Sequence, residues 1–210
     1  MTPAFEAFSY GLVALLVIID PAGTAVLFMG MTPHDNAADR ARQARRACLI
    51  AFIVLALFGI VGEELLRALG IGLPAMKTAG GILLFLTAAD MVTAKGVLRA
   101  TPDERAAAVA EHDITVFPLA IPFIAGPGSM TTMVLLHSQA GGRAASLVAI
   151  ELALAVAIGL TLTSLLLARH VTKFLGVTGS SVIGRVLGVL LAALAAQLVL
   201  DGVRESFRLV

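Results

Sequence analysis

Charged residues are scarce in this sequence. Asp, Glu, Lys and Arg make up 14% of the 210 residues, whereas hydrophobic residues make up 59%. An ordinary soluble domain carries about 25% charged residues, so the composition excludes a soluble globular protein. The formal net charge is only +1, and no large basic cluster lies outside the loops that flank apolar segments, which excludes a nucleic-acid partner. The composition is that of a protein embedded in a lipid bilayer.

Residues that carry enzyme chemistry are also few. Cys48 is the single cysteine, so no intrachain disulfide forms, and we interpret it as a small core residue. The four histidines show no metal-ligand spacing, and Gly128-Ser129 lacks the Gly-x-Ser-x-Gly pattern of a nucleophilic serine. No phosphate-binding glycine loop is present. We therefore predict no enzymatic activity, no cofactor and no metal site.

Six long apolar segments account for most of the chain. A helix needs about 20 predominantly apolar residues to span a bilayer, whereas a β-barrel would show short alternating strands. No Lys or Arg precedes the first segment, so it does not resemble a cleavable signal peptide. We predict an all-α membrane protein with six transmembrane helices in a single transmembrane domain, 1–210. The predicted spans are 5–30, 47–69, 73–92, 115–138, 145–168 and 180–203.

The distribution of basic residues predicts the orientation of the spans, because Lys and Arg are enriched in cytoplasmic loops. The loops after spans one, three and five hold most of them: Arg40, Arg42, Arg45, Arg46, Lys95, Arg99, Arg105, Arg169 and Lys173. The opposite side holds Arg67, Arg143, Arg204 and Arg208. We therefore predict an inner-membrane protein with both termini outside, in the periplasm.

Two patterns on the predicted cytoplasmic side are typical of helix starts. Thr32-Pro33-His34-Asp35 and Thr101-Pro102-Asp103-Glu104 each place a capping hydroxyl before a proline, with an acid two residues after that proline. The first predicts a helix that carries arginines into span two. The second predicts a short surface helix within the connector between spans three and four.

Two of the predicted spans are interrupted by helix-breaking residues. Asp20-Pro21-Ala22-Gly23 interrupts span one, and Gly126-Pro127-Gly128 interrupts span four. Proline and glycine also occur in membrane helices as simple kinks, but two breaks at matched positions favour a specific role. We predict that helices 1 and 4 are discontinuous.

The two breaks belong to an internal repeat. Pro21 and Pro127 align at a shift of 106 positions, and Gly81-Ile82-Leu83-Leu84 aligns with Gly188-Val189-Leu190-Leu191 at a shift of 107. Each copy contains three spans, so the copies insert with opposite orientation. The predicted units are repeat one (1–93), a cytoplasmic connector (94–114) and repeat two (115–210). Two inverted three-helix repeats with a discontinuous helix in matching positions are typical of secondary transporters, which bind substrate near the midplane.

The residues at the breaks are suited to a zwitterion. Helix N-termini that begin after each break present free amides, which favour an anionic group such as a carboxylate. Carbonyl oxygens left at the preceding helix ends, together with the Asp20 carboxylate, favour an ammonium. No basic residue is present there to recognise an acidic side chain, so a neutral amino acid fits best. The predicted substrate-binding residues are Asp20, Pro21, Gly23, Thr24, Gly126, Pro127, Gly128 and Ser129.

Several polar residues in the spans keep more than one interpretation. Asp20 is a helix cap, a substrate ligand or the group that couples transport to protons or sodium. Asp90 and Gln197, which align in the repeat, are secondary site candidates or interfacial structural residues. Lys77 and Arg185 have long side chains that reach the membrane surfaces. His137 is interpreted as a surface or packed histidine, with a proton carrier as the alternative.

These motifs resemble those of the MarC family, which is also described as the neutral amino acid transporter family and includes the SnatA-type proteins. The resemblance covers essentially the whole chain. The motifs that carry it are Asp20-Pro21-Ala22-Gly23, Ala79-Gly80-Gly81-Ile82-Leu83-Leu84-Phe85, Pro118-Leu119-Ala120-Ile121-Pro122, Ala125-Gly126-Pro127-Gly128-Ser129, and Gln197 followed by Leu200-Asp201-Gly202. Family members often have Asn-x-Pro where this chain has Thr24-Ala25-Val26, which affects residues beside the predicted site.

The resemblance implies a six-span inner-membrane protein that moves small neutral amino acids, such as glycine and alanine, with a cation gradient. Together with the breaks, it favours a secondary transporter whose partners are an amino acid, a coupling proton or sodium ion and the bilayer. A passive channel for small solutes and a non-transporting membrane scaffold or stress protein remain alternatives. Direction of transport and oligomeric state are left open by the sequence.

Overall fold

The computed structural model describes residues 2–32, 34–93 and 114–208, and these residues form helices and short connections without a β-strand. The prediction of an all-α protein is confirmed. The predicted connector, apart from residue 114, and its helix start at Thr101-Pro102 lie outside the described residues. The helices are α1 (Pro3–Ile19), α2 (Pro21–Met31), α3 (Ala37–Ala68), α4 (Leu73–Thr93), the π-helix α5 (Thr115–Ile124), α6 (Pro127–Ala140), α7 (Ala144–Leu166) and α8 (Ala168–Arg208).

Three segments of the described chain are long and apolar enough to cross a membrane: Pro3–Met31, Ala37–Ala68 and Ala144–Leu166. Leu73–Leu86 is a shorter apolar helix. Many large apolar side chains on these helices point outward, among them Val13, which is 61% exposed. Such an apolar exterior is unfavourable in water and suits lipid. That the chain has six membrane spans remains a prediction.

The start of α3 differs from the prediction. Thr32 does not begin a helix; its hydroxyl donates to the Phe28 carbonyl oxygen at 2.8 Å, and it ends α2. The cap of α3 is Asn36, whose side-chain oxygen accepts from the Asp39 amide at 2.9 Å. Because Asn36 is the better cap, α3 starts four residues later than predicted. It still joins the arginine-rich segment to the second apolar segment in one helix.

The predicted loop between spans five and six is also wrong. Helix α8 begins at Ala168, directly after α7, and continues to Arg208. No proline occurs in this stretch, and a glycine costs a helix only about 1 kcal/mol. The basic residues assigned to that loop, Arg169 and Lys173, therefore lie on the helix that contains predicted span six.

Two apolar clusters hold the helices together. The larger draws on α1, α2, α3, α5, α6 and α7 and on Ala168 at the start of α8, and Ile19 at the end of α1 belongs to it. The smaller is built by Leu84 and Ala88 of α4 with Leu191 and Ala195 of α8. Val17 and Ile18 of α1 pack against this smaller cluster. The last turn of α1 therefore lies between the two clusters.

Helices α4 and α8 approach each other closely at Gly81 and Gly202. An added Cβ would lie 2.8 Å from the Ala195 carbonyl oxygen at Gly81, and 2.6 Å from the Pro74 carbonyl oxygen at Gly202. Small residues at such contacts let helix backbones pack directly, which stabilises helices in a bilayer. Lys77 adds an ion pair to the same interface. Its Nζ lies 2.6 Å from the Glu205 Oε1, so it joins α4 to α8 instead of extending freely to the membrane surface.

Candidate functional site

The first junction is the single residue Asp20 between α1 and α2. Its backbone adopts the left-handed region, with φ 46° and ψ 74°, which Asp and Asn tolerate better than other residues with a side chain. The Asp20 amide donates to the Leu16 carbonyl oxygen and closes α1. Its carbonyl accepts from the Thr24 amide and opens α2. One residue therefore ends one helix and begins the next.

The Asp20 side chain caps α2. Its Oδ1 accepts a hydrogen bond from the Gly23 amide at 3.0 Å, and the residue is buried, at 8% exposure. A Cβ on Gly23 would lie 2.0 Å from the Asp20 Oδ2. Glycine at position 23 is therefore what allows the carboxylate to fold over the helix end. Of the roles considered for Asp20, capping is the one that these contacts describe.

The second junction consists of Ala125 and Gly126, between α5 and α6. Gly126 is extended, with φ −86° and ψ 171°, and Pro127 occupies the first position of α6. A Cβ on Gly126 would lie 2.5 Å from the Pro122 carbonyl oxygen. Backbone lies this close because the chain turns sharply after α5. In contrast to the first junction, no carboxylate caps α6.

The π-helical form of α5 is a feature that sequence reasoning missed. Its bonds run over five residues at both ends, from the Leu119 amide to the Ile114 carbonyl and from the Ala125 amide to the Ala120 carbonyl. The signal was available in Pro118 and Pro122, because each proline removes an amide that an α-helix would use. π-helical turns are rare and often occur at functional sites.

The hydroxyls at the two junctions make matching hydrogen bonds. Thr24 Oγ1 donates to the Ile19 carbonyl oxygen at 2.8 Å, and Ser129 Oγ donates to the Ile124 carbonyl oxygen at 2.9 Å. Each hydroxyl thus reaches back across its junction by five residues. Both side chains are buried. The expectation that these two carbonyls are unpaired is therefore wrong, because a local hydroxyl satisfies each of them.

The two junctions lie next to each other. A Cβ on Gly128, in the first turn of α6, would lie 3.6 Å from Ile18 Cγ2 in the last turn of α1. The same Cβ would lie 2.4 Å from Leu84 Cδ2 of α4. Glycine at position 128 therefore lets α6 pack against both helices. The structure brings the two interrupted segments together at the boundary of the two apolar clusters.

The secondary candidates lie on α4 and α8. Asp90 belongs to α4, and its side chain is outside the described part of the structure. Gln197 is exposed on α8, and its amide nitrogen donates to the Asp201 Oδ1 at 2.9 Å, one turn further along the helix. This contact gives Gln197 a local structural partner.

His137 is buried, as the interpretation of a packed histidine predicted, but it has a partner that the sequence did not reveal. Its Nε2 lies 3.0 Å from the Glu151 Oε1 of α7. Glu151 sits inside an apolar segment, and an acid at such a position was a signal in itself.

Comparison with known proteins identifies the family to which the chain belongs. The model of the family described as "MarC family integral membrane protein" matches residues 5–207. The chain is 34% identical over 193 residues to the UPF0056 membrane protein of Archaeoglobus fulgidus, covering 91% of this chain and 90% of that protein. It is 32% identical to the UPF0056 membrane protein YvbG of Bacillus subtilis, covering 97% of each chain. It is 34% identical to the UPF0056 inner membrane protein YhgN of Escherichia coli K12, covering 91% of this chain and 93% of that protein. No solved structure matches.

Proposed function

Because the chain belongs to the MarC family of integral membrane proteins, we propose that it is a secondary transporter of small neutral amino acids, such as glycine and alanine. In this proposal a proton or sodium gradient drives transport. The substrate binds where the two junctions meet, and the protein opens alternately to the two sides of the membrane. It is not an enzyme and uses no cofactor.

The observation that carries the proposal is the contact between the two junctions. Gly128 of α6 packs against Ile18 of α1, so two helix interruptions more than 100 positions apart in sequence share one location. Interrupted backbone inside a membrane protein is tolerated where it is buried in protein or lines a cavity. Paired interruptions of this kind form the binding sites of transporters built from repeats.

The junctions offer complementary groups for a zwitterion. The α6 N-terminus carries partial positive charge and has no side-chain cap, so it suits a substrate carboxylate. The Asp20 carboxylate and the carbonyl oxygen of Ile19 suit an ammonium. In the present state Thr24 already donates to that carbonyl, so an ammonium would replace the hydroxyl as donor. Glycine at positions 23 and 128 keeps the space small, which favours small side chains.

The packing supports the proposed internal repeat, whose inverted orientation is inferred from the odd number of spans in each copy. If α1–α2 corresponds to α5–α6, α3 to α7, and α4 to α8, then exchanging the repeats should convert each major packing contact into another. The contact of α1 and α2 with α7 converts into the contact of α5 and α6 with α3, and both occur. The contact of α2 with α8 converts into that of α6 with α4, and both occur as well. The α4–α8 and α3–α7 contacts each join a helix to its counterpart in the other repeat, so the exchange leaves them unchanged.

The same packing favours movement of one helix pair over rocking of the two sequential halves as rigid units. Each repeat packs mainly on the other, because α1 lies against α7 and α3 lies against α6. The α4–α8 pair instead has an apolar cluster of its own, formed by Leu84, Ala88, Leu191 and Ala195. We propose that this pair moves against the remaining helices, with the two junctions at the boundary.

The proposed location is the inner membrane, with both termini in the periplasm. The family description supports an integral membrane protein, and the relative from Escherichia coli K12 is named an inner membrane protein. The orientation rests on the distribution of Lys and Arg.

Competition for glycine uptake into liposomes that contain the purified protein tests the substrate class. If both charged groups are recognised, unlabelled alanine should compete with radiolabelled glycine, whereas glycinamide, which lacks the carboxylate, and acetate, which lacks the ammonium, should not. Pro127→Ala should reduce uptake, since it alters the start of α6, whereas Gly159→Ala, with nothing within 4 Å of its added Cβ, serves as the control. Non-saturable uptake without competition would indicate a passive channel. Absence of flux for every amino acid would favour a scaffold.

A further inference from the structure

The contact between His137 of α6 and Glu151 of α7 requires a proton. His137 Nδ1 lies 3.0 Å from the Met133 carbonyl oxygen, and a carbonyl only accepts hydrogen bonds, so Nδ1 carries a hydrogen. The other ring nitrogen, Nε2, lies 3.0 Å from the Glu151 Oε1. A neutral imidazole with hydrogen on Nδ1 and an ionised carboxylate would direct two acceptors at each other across this distance. A second proton is therefore needed between them, on either Nε2 or Oε1.

No other group of the described residues satisfies these two atoms. The His137 Nε2 and the Glu151 Oε1 are both buried, and neither makes a hydrogen bond in that part of the chain; each has the other at ion-pair distance. The His137 side chain is 8% exposed and the Glu151 side chain 26%. Leaving a buried polar atom without a partner costs about 1–3 kcal/mol, and more if it is charged. Loss of the proton therefore destabilises the contact between α6 and α7.

The described residues around the pair supply no compensating charge. On α3, Glu63 and Glu64 both pair with Arg67 at the exposed end of the helix, and the other charged residues of α3 lie within residues 39–46, about 20 Å or more from Gly59 along the helix. On α4, which also packs against α6, Lys77 pairs with Glu205 of α8. Immediately before α7, the Arg143 guanidinium donates to the carbonyls of residues 139 and 140. On α1, the acid is Glu6, which is exposed. The described parts of α2 and α6 contribute no further Asp, Glu, Lys or Arg.

Helix α6 connects the His137–Glu151 pair to the second junction. Helix α6 runs from Pro127 to Ala140, so about 15 Å separates its first residue from His137 at 1.5 Å per residue. On its other side the imidazole packs on the backbone of α3, where a Cβ on Gly59 would lie 2.5 Å from the ring Cε1. Release of the proton would therefore weaken the packing of α6 between α3 and α7. The opposite end of α6 carries Gly128 and Ser129, which lie at the second junction.

We infer that His137 and Glu151 form a proton-binding site that couples a proton gradient to the junction at the start of α6. The inference rests on the proposed transport function and deepens it by naming the proton as the coupling ion. One proton binds between Nε2 and Oε1 in the state described here and leaves to water in another state, when the two side chains separate.

Transport driven by a pH gradient tests the coupling. A factor of ten in concentration corresponds to about 1.4 kcal/mol, so a gradient of about one pH unit supports about tenfold accumulation of glycine per proton. Glu151→Gln keeps the size of the side chain and donates permanently to Nε2, so we expect it to abolish accumulation driven by the gradient and to reduce exchange of glycine much less. Glu64→Gln, on an exposed glutamate of α3, is the matched control. Accumulation in Glu151→Gln equal to that of the unaltered protein would overturn the inference.

A measurement without substrate keeps the two proposals separable. At a single pH, the ¹⁵N signals of the His137 ring, assigned with His137→Gln in lipid nanodiscs, report which ring nitrogen carries hydrogen. We expect Glu151→Gln to change the Nε2 signal, because an amide donor replaces the carboxylate that shares the proton, and Glu64→Gln to leave it unchanged. A Nε2 signal that is identical in Glu151→Gln and the unaltered protein overturns the proton site. Gradient-independent transport of glycine overturns the coupling while leaving the transport proposal intact, and a Nε2 signal that responds to Glu151→Gln in a protein that transports nothing refutes only the transport proposal.

Discussion

Substitution of Asp20 separates three contributions that this residue combines: a left-handed backbone, a helix cap and a charge. Asp20→Asn keeps the first two, because asparagine tolerates the left-handed region and caps helices about as well as aspartate. Asp20→Gly keeps the backbone conformation and loses the cap. Asp20→Ala loses both. The three variants therefore form a graded series at one position.

The expected free energies follow from the geometry. Loss of an N-cap to alanine costs typically about 1 kcal/mol, and a left-handed residue with a Cβ costs roughly 1–2 kcal/mol. Asp20→Ala should therefore lower the free energy of unfolding by about 2–3 kcal/mol. Asp20→Gly should cost less, and Asp20→Asn should fall within about 0.5 kcal/mol of the unaltered protein, because substitutions that preserve such features have small effects.

The chain contains its own reporter for this measurement. It has no tryptophan and a single cysteine, and Cys48 is buried in the larger apolar cluster, at 2% exposure. A dye that fluoresces on reaction with thiols should therefore report unfolding of this cluster during a thermal scan. For a chain of this size about 1 kcal/mol shifts the midpoint by roughly 2–4 °C, so Asp20→Ala should lower it by roughly 4–12 °C.

The comparison of stability with transport then decides the role of the charge. If the carboxylate binds the substrate ammonium, Asp20→Asn should lose glycine transport while its midpoint stays close to that of the unaltered protein. A midpoint for Asp20→Asn as low as that of Asp20→Ala would refute the capping argument. Normal transport by Asp20→Asn would refute a role of the charge in binding.

Three further predictions concern packing and hydrogen bonds. Gly126→Ala should destabilise the protein by about 1–3 kcal/mol, because its Cβ would lie 2.5 Å from a backbone carbonyl oxygen. The control Gly159→Ala should be neutral or stabilising by up to about 1 kcal/mol. The thiol-dye scan compares the two variants, and equal midpoints would contradict the close contact at Gly126. A double-mutant cycle of Lys77→Met and Glu205→Gln should give a coupling energy below about 1 kcal/mol, since Glu205 is 43% exposed, and a larger value would mean that the pair is more shielded than described. Ser129→Ala should cost about 1–3 kcal/mol by leaving a buried carbonyl without its hydroxyl donor, and an unchanged midpoint would show that this bond contributes nothing.

The positions of the two junctions could be predicted from the sequence because their causes are local. Pro21 and Pro127 lack an amide donor and favour the first turn of a helix, and α2 and α6 begin at these residues. Asp20 before a proline likewise made a cap one of its three predicted roles, beside substrate ligand and coupling group. The helical class followed from composition together with the length of the continuous apolar segments.

Other features depend on tertiary contacts and could not be predicted in the same way. Whether the hydroxyl of Ser129 faces a ligand or reaches back to Ile124 depends on how sharply the chain turns at the junction. The pairing of His137 with Glu151 joins two helices, and nothing in the local sequence of either indicates the other. The continuity of α8 shows the opposite error, since a gap between two apolar segments indicated a loop where no proline was present to break the helix.

Counterflow tests whether a small neutral amino acid binds where the two junctions meet and is carried by alternating access. Liposomes containing the purified protein are loaded with unlabelled glycine and diluted into a trace of labelled glycine without an ion gradient. We expect a transient, saturable accumulation of label in the unaltered protein and its loss in Asp20→Asn. Label that only equilibrates, or accumulation that Asp20→Asn leaves intact, would contradict it.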